Sequence, residues 1–146
     1  MDMKMTVIQL VSAFVGSFGF SLLFGMRRKH LFAASCGGVF VWGLYTLLAF
    51  VIHDGGFMAC LVASAFAVFY AELLAHVRKC PATLFVIPAI VPLVPGSSLY
   101  YAMAYAVGGE LAQAKLYATT TLELSLAIAA GISFTIALRQ LKTKRS

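Results

Sequence analysis

Charged side chains are scarce in this chain of 146 residues. They make up 11% of it, whereas hydrophobic residues make up 62%. An ordinary soluble domain has roughly 45–50% apolar and ~25% charged residues, because its surface must carry enough charge to stay dissolved. The shortage of charge argues against a soluble enzyme, a nucleic-acid-binding protein and a disordered chain. It predicts a membrane protein.

Cysteine pairs and catalytic motifs are also missing. Cys36, Cys60 and Cys80 show no paired spacing, so they predict neither a disulfide framework nor a zinc site. The sequence has no serine nucleophile with a His/Asp pair, no metal-ligand spacing and no Walker-type phosphate loop. We therefore expect no enzymatic activity, no metal, no cofactor and no ATP-driven transport by this chain alone.

Long apolar runs are what the sequence has instead. Five of them approach the ~20 residues that a helix needs to cross the hydrocarbon core of a bilayer. Backbone polar groups must be paired in lipid, and the period-2 alternation of a barrel strand is absent, so we predict helices. The expected fold is an all-α transmembrane domain over residues 1–146. Its spans are 5–26, 31–52, 57–77, 82–107 and 117–138.

The Lys and Arg residues are distributed unevenly between the two sets of span ends. Because positively charged loops stay in the cytoplasm, five spans place the N-terminus outside and the C-terminus in the cytoplasm. A re-entrant hairpin in the fourth run is the alternative, but it would put basic tail residues outside. The cytoplasmic set has nine members, Arg27, Arg28, Lys29, Arg78, Lys79, Arg139, Lys142, Lys144 and Arg145, and the outer set has two, Lys4 and Lys115.

Small residues recur at every fourth position in two of the runs. Residues spaced by four share one helix face, and small ones let another helix approach closely. We expect both rows to pack tightly in a helical bundle, within one chain or between chains. The third run carries Ala59, Ala63, Ala67, Ala71 and Ala75, and the fifth carries Ser125, Ala129, Ser133 and Ala137.

The fourth run contains a proline-rich interruption. Pro88, Pro92 and Pro95 fall at spacings of four and three, and Gly96 follows directly. Proline removes a backbone donor and glycine permits angles that end a helix, so we predict a fourth helix broken at Pro95-Gly96. Ser97 is expected to cap the second half. A simple proline kink without a ligand is the alternative.

A helix broken near the bilayer midplane exposes carbonyl groups of its first half and N–H groups of its second half. Irregular backbone at that depth persists only where protein buries it or where it lines a wet cavity. Secondary transporters use such N–H groups to hold the anionic part of a substrate. We therefore predict binding of a small carboxylate-bearing solute by Pro95, Gly96, Ser97, Ser98, Tyr100 and Tyr101.

Two carboxyl groups lie inside the spans. Glu72 is near the cytoplasmic end of the third run, and Glu123 is at a similar depth from the outer end of the fifth. Burial favours the protonated carboxyl group, so both are candidates for proton coupling. The alternative is an interfacial carboxylate that reaches water. His53, Asp54, His76 and Glu110 are expected to be solvated.

Several of these residues resemble the threonine/serine exporter family, and in particular its short, YjjB-like members. The matching strings are Tyr70-Ala-Glu72, Pro81-Ala-Thr83, Pro88, Pro92-Leu-Val-Pro95-Gly96-Ser97, Tyr100-Tyr101, Gly109-Glu110, Glu123 and Ile128-Ala-Ala-Gly131. The resemblance covers about residues 70–131. It implies export of small amino acids or similar carboxylic acids across the inner membrane.

The resemblance also implies partners. Full-length members have a longer N-terminal half, which a larger companion subunit would supply to a short member; assembly of this chain with itself is the other expectation. An odd number of spans means that a fused second unit must run in the opposite direction, giving an inverted pair. Membrane lipid and a small-molecule substrate are expected ligands, and nucleic acid is not. The alternative function is a non-transporting assembly or regulatory subunit.

Overall fold

The computed structural model describes residues 3–52 and 56–143, and no strand occurs among them. The helices are α1 (Met3–Leu23), α2 (Arg28–Val51), α3 (Gly56–Arg78), α4 (Thr83–Ile90), α5 (Gly96–Val107) and α6 (Leu111–Thr143). A 3₁₀ turn at Val91–Leu93 follows α4. The predicted loop residues His53 and Asp54 and the tail residues Lys144 and Arg145 lie outside the described residues.

Four of these helices, α1, α2, α3 and α6, are long and apolar enough to cross a membrane by themselves. The pair formed by Thr83–Leu93 and Gly96–Val107 is apolar enough as well, and its two halves are bent by 50°. The predicted all-α class and the five apolar segments are therefore confirmed.

The last helix is longer than predicted. It begins at Leu111 rather than at residue 117, directly after a turn in which Gly109 has a φ of 81°. Gln113 and Lys115 lower the hydropathy of the first five residues of α6, but they are good helix formers, so the helix extends through them. Its 33 residues span about 50 Å at 1.5 Å per residue, which exceeds the ~30 Å hydrocarbon core.

Small residues let the helices around α3 pack closely. Gly37 of α2 lies under the ring of Tyr70, whose hydroxyl donates to the carbonyl of Ala33 at 2.9 Å. Val41 of α2 and Ala89 of α4 share one core cluster with the α3 alanines. The first predicted row thus packs within the chain: Ala59, Ala63, Ala67 and Ala71 are buried, and Ala75 is partly buried.

The second predicted row does not pack within this chain. Ser125, Ala129, Ser133 and Ala137 are all exposed. The face of α6 that meets α3 instead contains Ala127 and Gly131, and a Cβ at Gly131 would overlap the hydroxyl of Ser64. Positions two residues apart lie roughly 200° apart around a helix with 3.6 residues per turn. The expected row therefore faces away from the bundle, which leaves packing between chains as its remaining interpretation.

Helices α3 and α6 run parallel. Near the start of α3, the Sγ of Cys60 lies 3.8 Å from the carbonyl oxygen of Leu124. Near the end of α3, Glu72 pairs with Arg139. Residue numbers therefore rise together along both helices, so the segment between them crosses from one end of the bundle to the other. The α4–α5 segment is a broken span and not a re-entrant hairpin.

We expect Gly131→Ala to destabilise the detergent-solubilised protein by about 1–3 kcal/mol, the usual cost of overpacking. The new Cβ would meet the Ser64 hydroxyl and the carbonyl of Leu61. Gly19→Ala is the matched control, because nothing lies within 4 Å of its Cβ position. Thermal unfolding of both variants checks the packing, and equal melting temperatures would contradict it.

Candidate functional site

The fourth span is interrupted at the predicted place. After the 3₁₀ turn, Val94 is extended with a ψ of 123°, and Pro95 has a φ of −76° and a ψ of 55°. Helix α5 then begins at Gly96. Pro92 lies against Gly38, near the middle of the 24-residue α2, because a Cβ at Gly38 would be 3.3 Å from the Cγ of Pro92. The interruption is therefore close to mid-depth in the bundle.

In the first half of the broken span, the carbonyl group that proline leaves without a donor is hydrogen-bonded by another helix of the same chain. Pro92 has no N–H, so it cannot donate to the carbonyl of Pro88 one turn earlier. The hydroxyl of Ser17 on α1 donates to that carbonyl instead, at 2.8 Å. Gly38 makes room for this contact, since a Cβ there would overlap the Ser17 hydroxyl. The sequence analysis did not predict the roles of Ser17 and Gly38. An isolated serine in an apolar run indicates a buried hydrogen bond, but it does not show which residue accepts it.

The backbone N–H groups at the start of the second half of the broken span do not all have such partners. Gly96 donates to the carbonyl of Val94 at 2.7 Å, and Leu99 donates to that of Pro95 at 3.1 Å. No backbone carbonyl in the described part of the chain accepts the N–H groups of Ser97 and Ser98. The expectation that Ser97 caps α5 was wrong: the helix begins at Gly96, so Ser97 lies inside its first turn, and Pro95 precedes the helix without a side-chain cap.

The start of α5 lies on the surface of the single chain. Gly96 and Ser97 are exposed, and Ser98 is half-buried. A cavity of about 510 Å³ reaches Gly96, but its other lining residues are apolar: Phe20, Ile87, Ile90, Val91 and Val94. The chain alone therefore presents the donors of the break without enclosing them in a polar pocket.

The predicted tyrosines Tyr100 and Tyr101 are adjacent on α5 and contact each other, with ring centroids 5.5 Å apart. Tyr101 lies 5.4 Å from Tyr117 of α6, measured between ring centroids, and Tyr105 stacks on the same ring at 5.6 Å. Tyr101 therefore helps to join α5 to α6. Tyr100 and Tyr101, both exposed, lie three and four residues after Ser97, so both are its neighbours on the helix surface. The two predicted tyrosines are therefore both near Ser97, whereas Tyr105 lies about two turns further along α5.

Glu123 lies at the level of the break. Helices α5 and α6 form an antiparallel pair in which Tyr101 faces Tyr117. Counting six residues back along α5 and six forward along α6 reaches Pro95 and Glu123. Glu123 is exposed, like the start of α5.

Glu72 lies elsewhere in the bundle. Its Oε1 is 2.6 Å from a guanidinium nitrogen of Arg139, with 17% of the glutamate side chain and 54% of the arginine side chain exposed. Arg139 is sixteen residues beyond Glu123, about 24 Å along α6 at 1.5 Å per residue. The two predicted coupling carboxylates therefore do not form one site. Glu72 joins α3 to α6, a contact that spacing alone did not indicate.

The fold is that of a helical membrane protein with one span broken at mid-depth, a feature that secondary transporters also have. A family model described as Threonine/Serine exporter, ThrE, matches residues 9–138. The chain belongs to this family, as the motifs around the break indicated, and the family's described role is transport rather than catalysis. No curated protein and no solved structure matches the chain.

We expect Ser17→Ala to lower the free energy of unfolding by about 1–3 kcal/mol, the cost of leaving a buried acceptor unpaired. The carbonyl of Pro88 would lose its donor. Ser21→Ala is the matched control, because that buried hydroxyl donates to the carbonyl of Ser17 within its own helix. Thermal unfolding in detergent measures both, and a loss no larger than that of the control would show that the contact is dispensable.

Proposed function

We propose that this chain is one subunit of a secondary exporter for small carboxylate-bearing metabolites. The substrates would be threonine- and serine-type amino acids or small dicarboxylic acids. The distribution of nine and two basic residues favours an N-terminus outside and a C-terminus in the cytoplasm of an inner-membrane protein. The observation that carries the proposal is the exposed start of α5, where the N–H groups of Ser97 and Ser98 lack backbone acceptors.

A carboxylate matches the chemistry of this helix start. Backbone N–H groups at a helix N-terminus point outward along the axis and carry partial positive charge, which favours an anion. The hydroxyls of Ser97 and Ser98 add two further donors beside them. The first turn of α5 contains no acidic residue to compete for these donors. We therefore place the substrate carboxylate at Pro95, Gly96, Ser97 and Ser98, with Tyr100 next to it.

Exposure of the break supports the need for a second subunit. Unpaired N–H groups facing hydrocarbon cost several kcal/mol each, and the described residues do not cover these two. Helix α5 packs mainly against α6, so its opposite face is open. We propose that the larger companion subunit, or a second copy of this chain, covers that face and completes a polar cavity around the substrate.

Either carboxylate could supply the coupling proton. Glu123 lies at the level of the break, so its protonation would change the charge at the depth of the substrate. Glu72 acts at the other end of α6, where its protonation would release Arg139 and loosen the contact between α3 and α6. The first position favours direct coupling, and the second favours control of the cytoplasmic opening.

A non-transporting assembly subunit is the alternative function. The specific observation that favours it is the apolar lining of the cavity beside Gly96, because a transport pathway needs polar walls. In this alternative the companion contains the whole pathway, and the exposed face of α5 serves only for assembly.

We expect Ser97→Ala to reduce substrate efflux about tenfold, since a hydrogen bond to a charged group contributes ~1.5–3 kcal/mol. The measurement is efflux from vesicles that hold this chain with its larger companion, across a panel of amino acids and dicarboxylic acids. Ser133→Ala, an exposed serine elsewhere on α6, is the control. Vesicles with this chain alone test whether it transports without the companion.

Co-purification of the two subunits separates the alternatives. Lost efflux with unchanged assembly supports the binding role of Ser97. Unchanged efflux in both Ser97→Ala and Glu72→Gln, with weakened assembly, would instead identify an assembly subunit.

The coupling residue is identified by the pH gradient. We expect Glu123→Gln to abolish the dependence of efflux on an imposed pH gradient, while exchange of substrate across the membrane continues, because an amide cannot take up the coupling proton. Glu72→Gln is expected to slow efflux and exchange together through the lost contact with Arg139. The reverse pattern would assign coupling to Glu72.

A further inference from the structure

A second cavity lies at the end of the bundle that contains most of the basic residues. It has a volume of about 410 Å³ and is formed where the α1–α2 turn meets the α3–α4 turn. Arg27, Arg78 and Lys79 line it, together with His30, Cys80 and Leu84. It is far from the break, because Met26 in its lining belongs to a buried cluster with Leu31 and Phe85 that closes it towards the bundle interior.

Backbone geometry gives this cavity a defined shape. Gly25 has a φ of 63° and Lys79 a φ of 51°, so a left-handed residue reverses the chain on each side. Arg78 donates to the carbonyl of Lys29 at 3.1 Å and ties α3 to the start of α2. The N–H of Cys80 donates to the carbonyl of Ala75 at 3.1 Å. The cavity walls are therefore held by contacts between the two turns.

Three of the residues that line the cavity are basic. Among residues 3–52 and 56–143 no carboxylate lines the cavity, and the ion pair seen there joins Glu72 to Arg139 instead. The tendency of basic loops to stay in the cytoplasm explains why basic residues occur at this end. It does not explain why three of them converge on one concave surface.

His30 supplies an independent observation. Its ring packs edge-on against the buried Phe85, with the centroids 5.8 Å apart. Its Nε2 lies 3.7 Å from the Sγ of Cys80, while its Nδ1 is buried without a hydrogen-bond partner. Buried polar atoms almost always have partners, so His30, which lines the cavity, has one ring nitrogen that no described residue satisfies.

We propose that this cavity binds an oxyanion, a phosphate or carboxylate group, between Arg27, Arg78 and Lys79, with His30 as a further hydrogen-bonding partner. Guanidinium groups bind such oxyanions with paired N–H donors. At the membrane surface the oxyanion is either the phosphate of an acidic phospholipid head group or a soluble anion. The inference is independent of the export site, because the buried cluster separates the two cavities.

Cys80 reports occupancy directly, because it lines the cavity. The full chain is reconstituted in phosphatidylcholine vesicles, and alkylation of Cys80 by neutral N-ethylmaleimide is followed by peptide mass spectrometry. One arm adds phosphatidylglycerol to the bilayer, a second adds inorganic phosphate, and a third adds sodium chloride at matched ionic strength. An anion at roughly ten times its Kd should slow alkylation about tenfold, because only the free protein reacts.

Adjacent arginines provide the matched variants. Arg27→Gln removes a cation from the cavity, whereas Arg28→Gln makes the same change in net charge one residue away and outside the lining. We expect protection to disappear in Arg27→Gln and to persist in Arg28→Gln. Lys79→Gln is a second cavity variant, and its left-handed backbone is no less compatible with Gln than with Lys.

Each outcome decides the proposal. Protection by phosphatidylglycerol alone assigns the cavity to lipid, and protection by phosphate assigns it to a soluble anion. Absence of protection in both arms overturns the proposal. Equal loss of protection in Arg27→Gln and Arg28→Gln also overturns it, because the effect would then be general surface charge. Thermal unfolding of each variant confirms that it is folded.

Discussion

The hydrogen bond from Ser17 to the carbonyl of Pro88 is the contact on which the broken span depends. Lipid cannot pair with a backbone carbonyl that proline has left without its donor, so the polar group must come from protein. Ser17 supplies it at 2.8 Å from α1, and the absence of a side chain at Gly38 leaves the space. Three helices thereby fix the first half of the interruption in one position.

The backbone polar groups on the two sides of the interruption differ in whether they have hydrogen-bond partners. This difference determines which groups the segment can offer to a ligand. The carbonyl side is closed inside the chain, whereas the N–H side, at Ser97 and Ser98, has no backbone acceptor and lies at the surface. The first N–H groups of any helix lack acceptors within it, and at mid-depth lipid cannot supply them, so these donors need a partner outside the described residues. The asymmetry favours a binding site whose remaining wall belongs to another subunit, and the open face of α5 provides room for that wall.

Apolar length and local chemistry were enough to predict the helices and the position of the break. Runs of about 20 residues must be helices in lipid, and Pro95-Gly96 cannot continue one. Contacts between distant segments were not predictable: Ser17 and Pro88 are 71 residues apart, and nothing local relates them. The prediction that the Ser125 row of α6 packs within the bundle was wrong for another reason. Ser125 and Ala127 lie on opposite faces of α6, and both faces contain small residues. Only the contact of Gly131 with Ser64 determines which face meets α3.

The parallel arrangement of α3 and α6 connects the fold to the need for a partner. With α4 and α5 crossing once between them, the described helices form five passes, so Met3 at the start of α1 and Thr143 at the end of α6 lie on opposite sides of the bundle. A second unit fused or bound in the inverted direction would then present its own helices to the exposed faces of α5 and α6. The start of α5, Glu123 and the small residues Ser125 and Ala129 are all exposed, with Glu123 and Ser125 on opposite sides of α6. Donors, a carboxylate and a surface that permits close helix approach therefore occur on adjoining helices that this chain leaves uncovered, which is the arrangement expected when a substrate pathway is shared between two subunits.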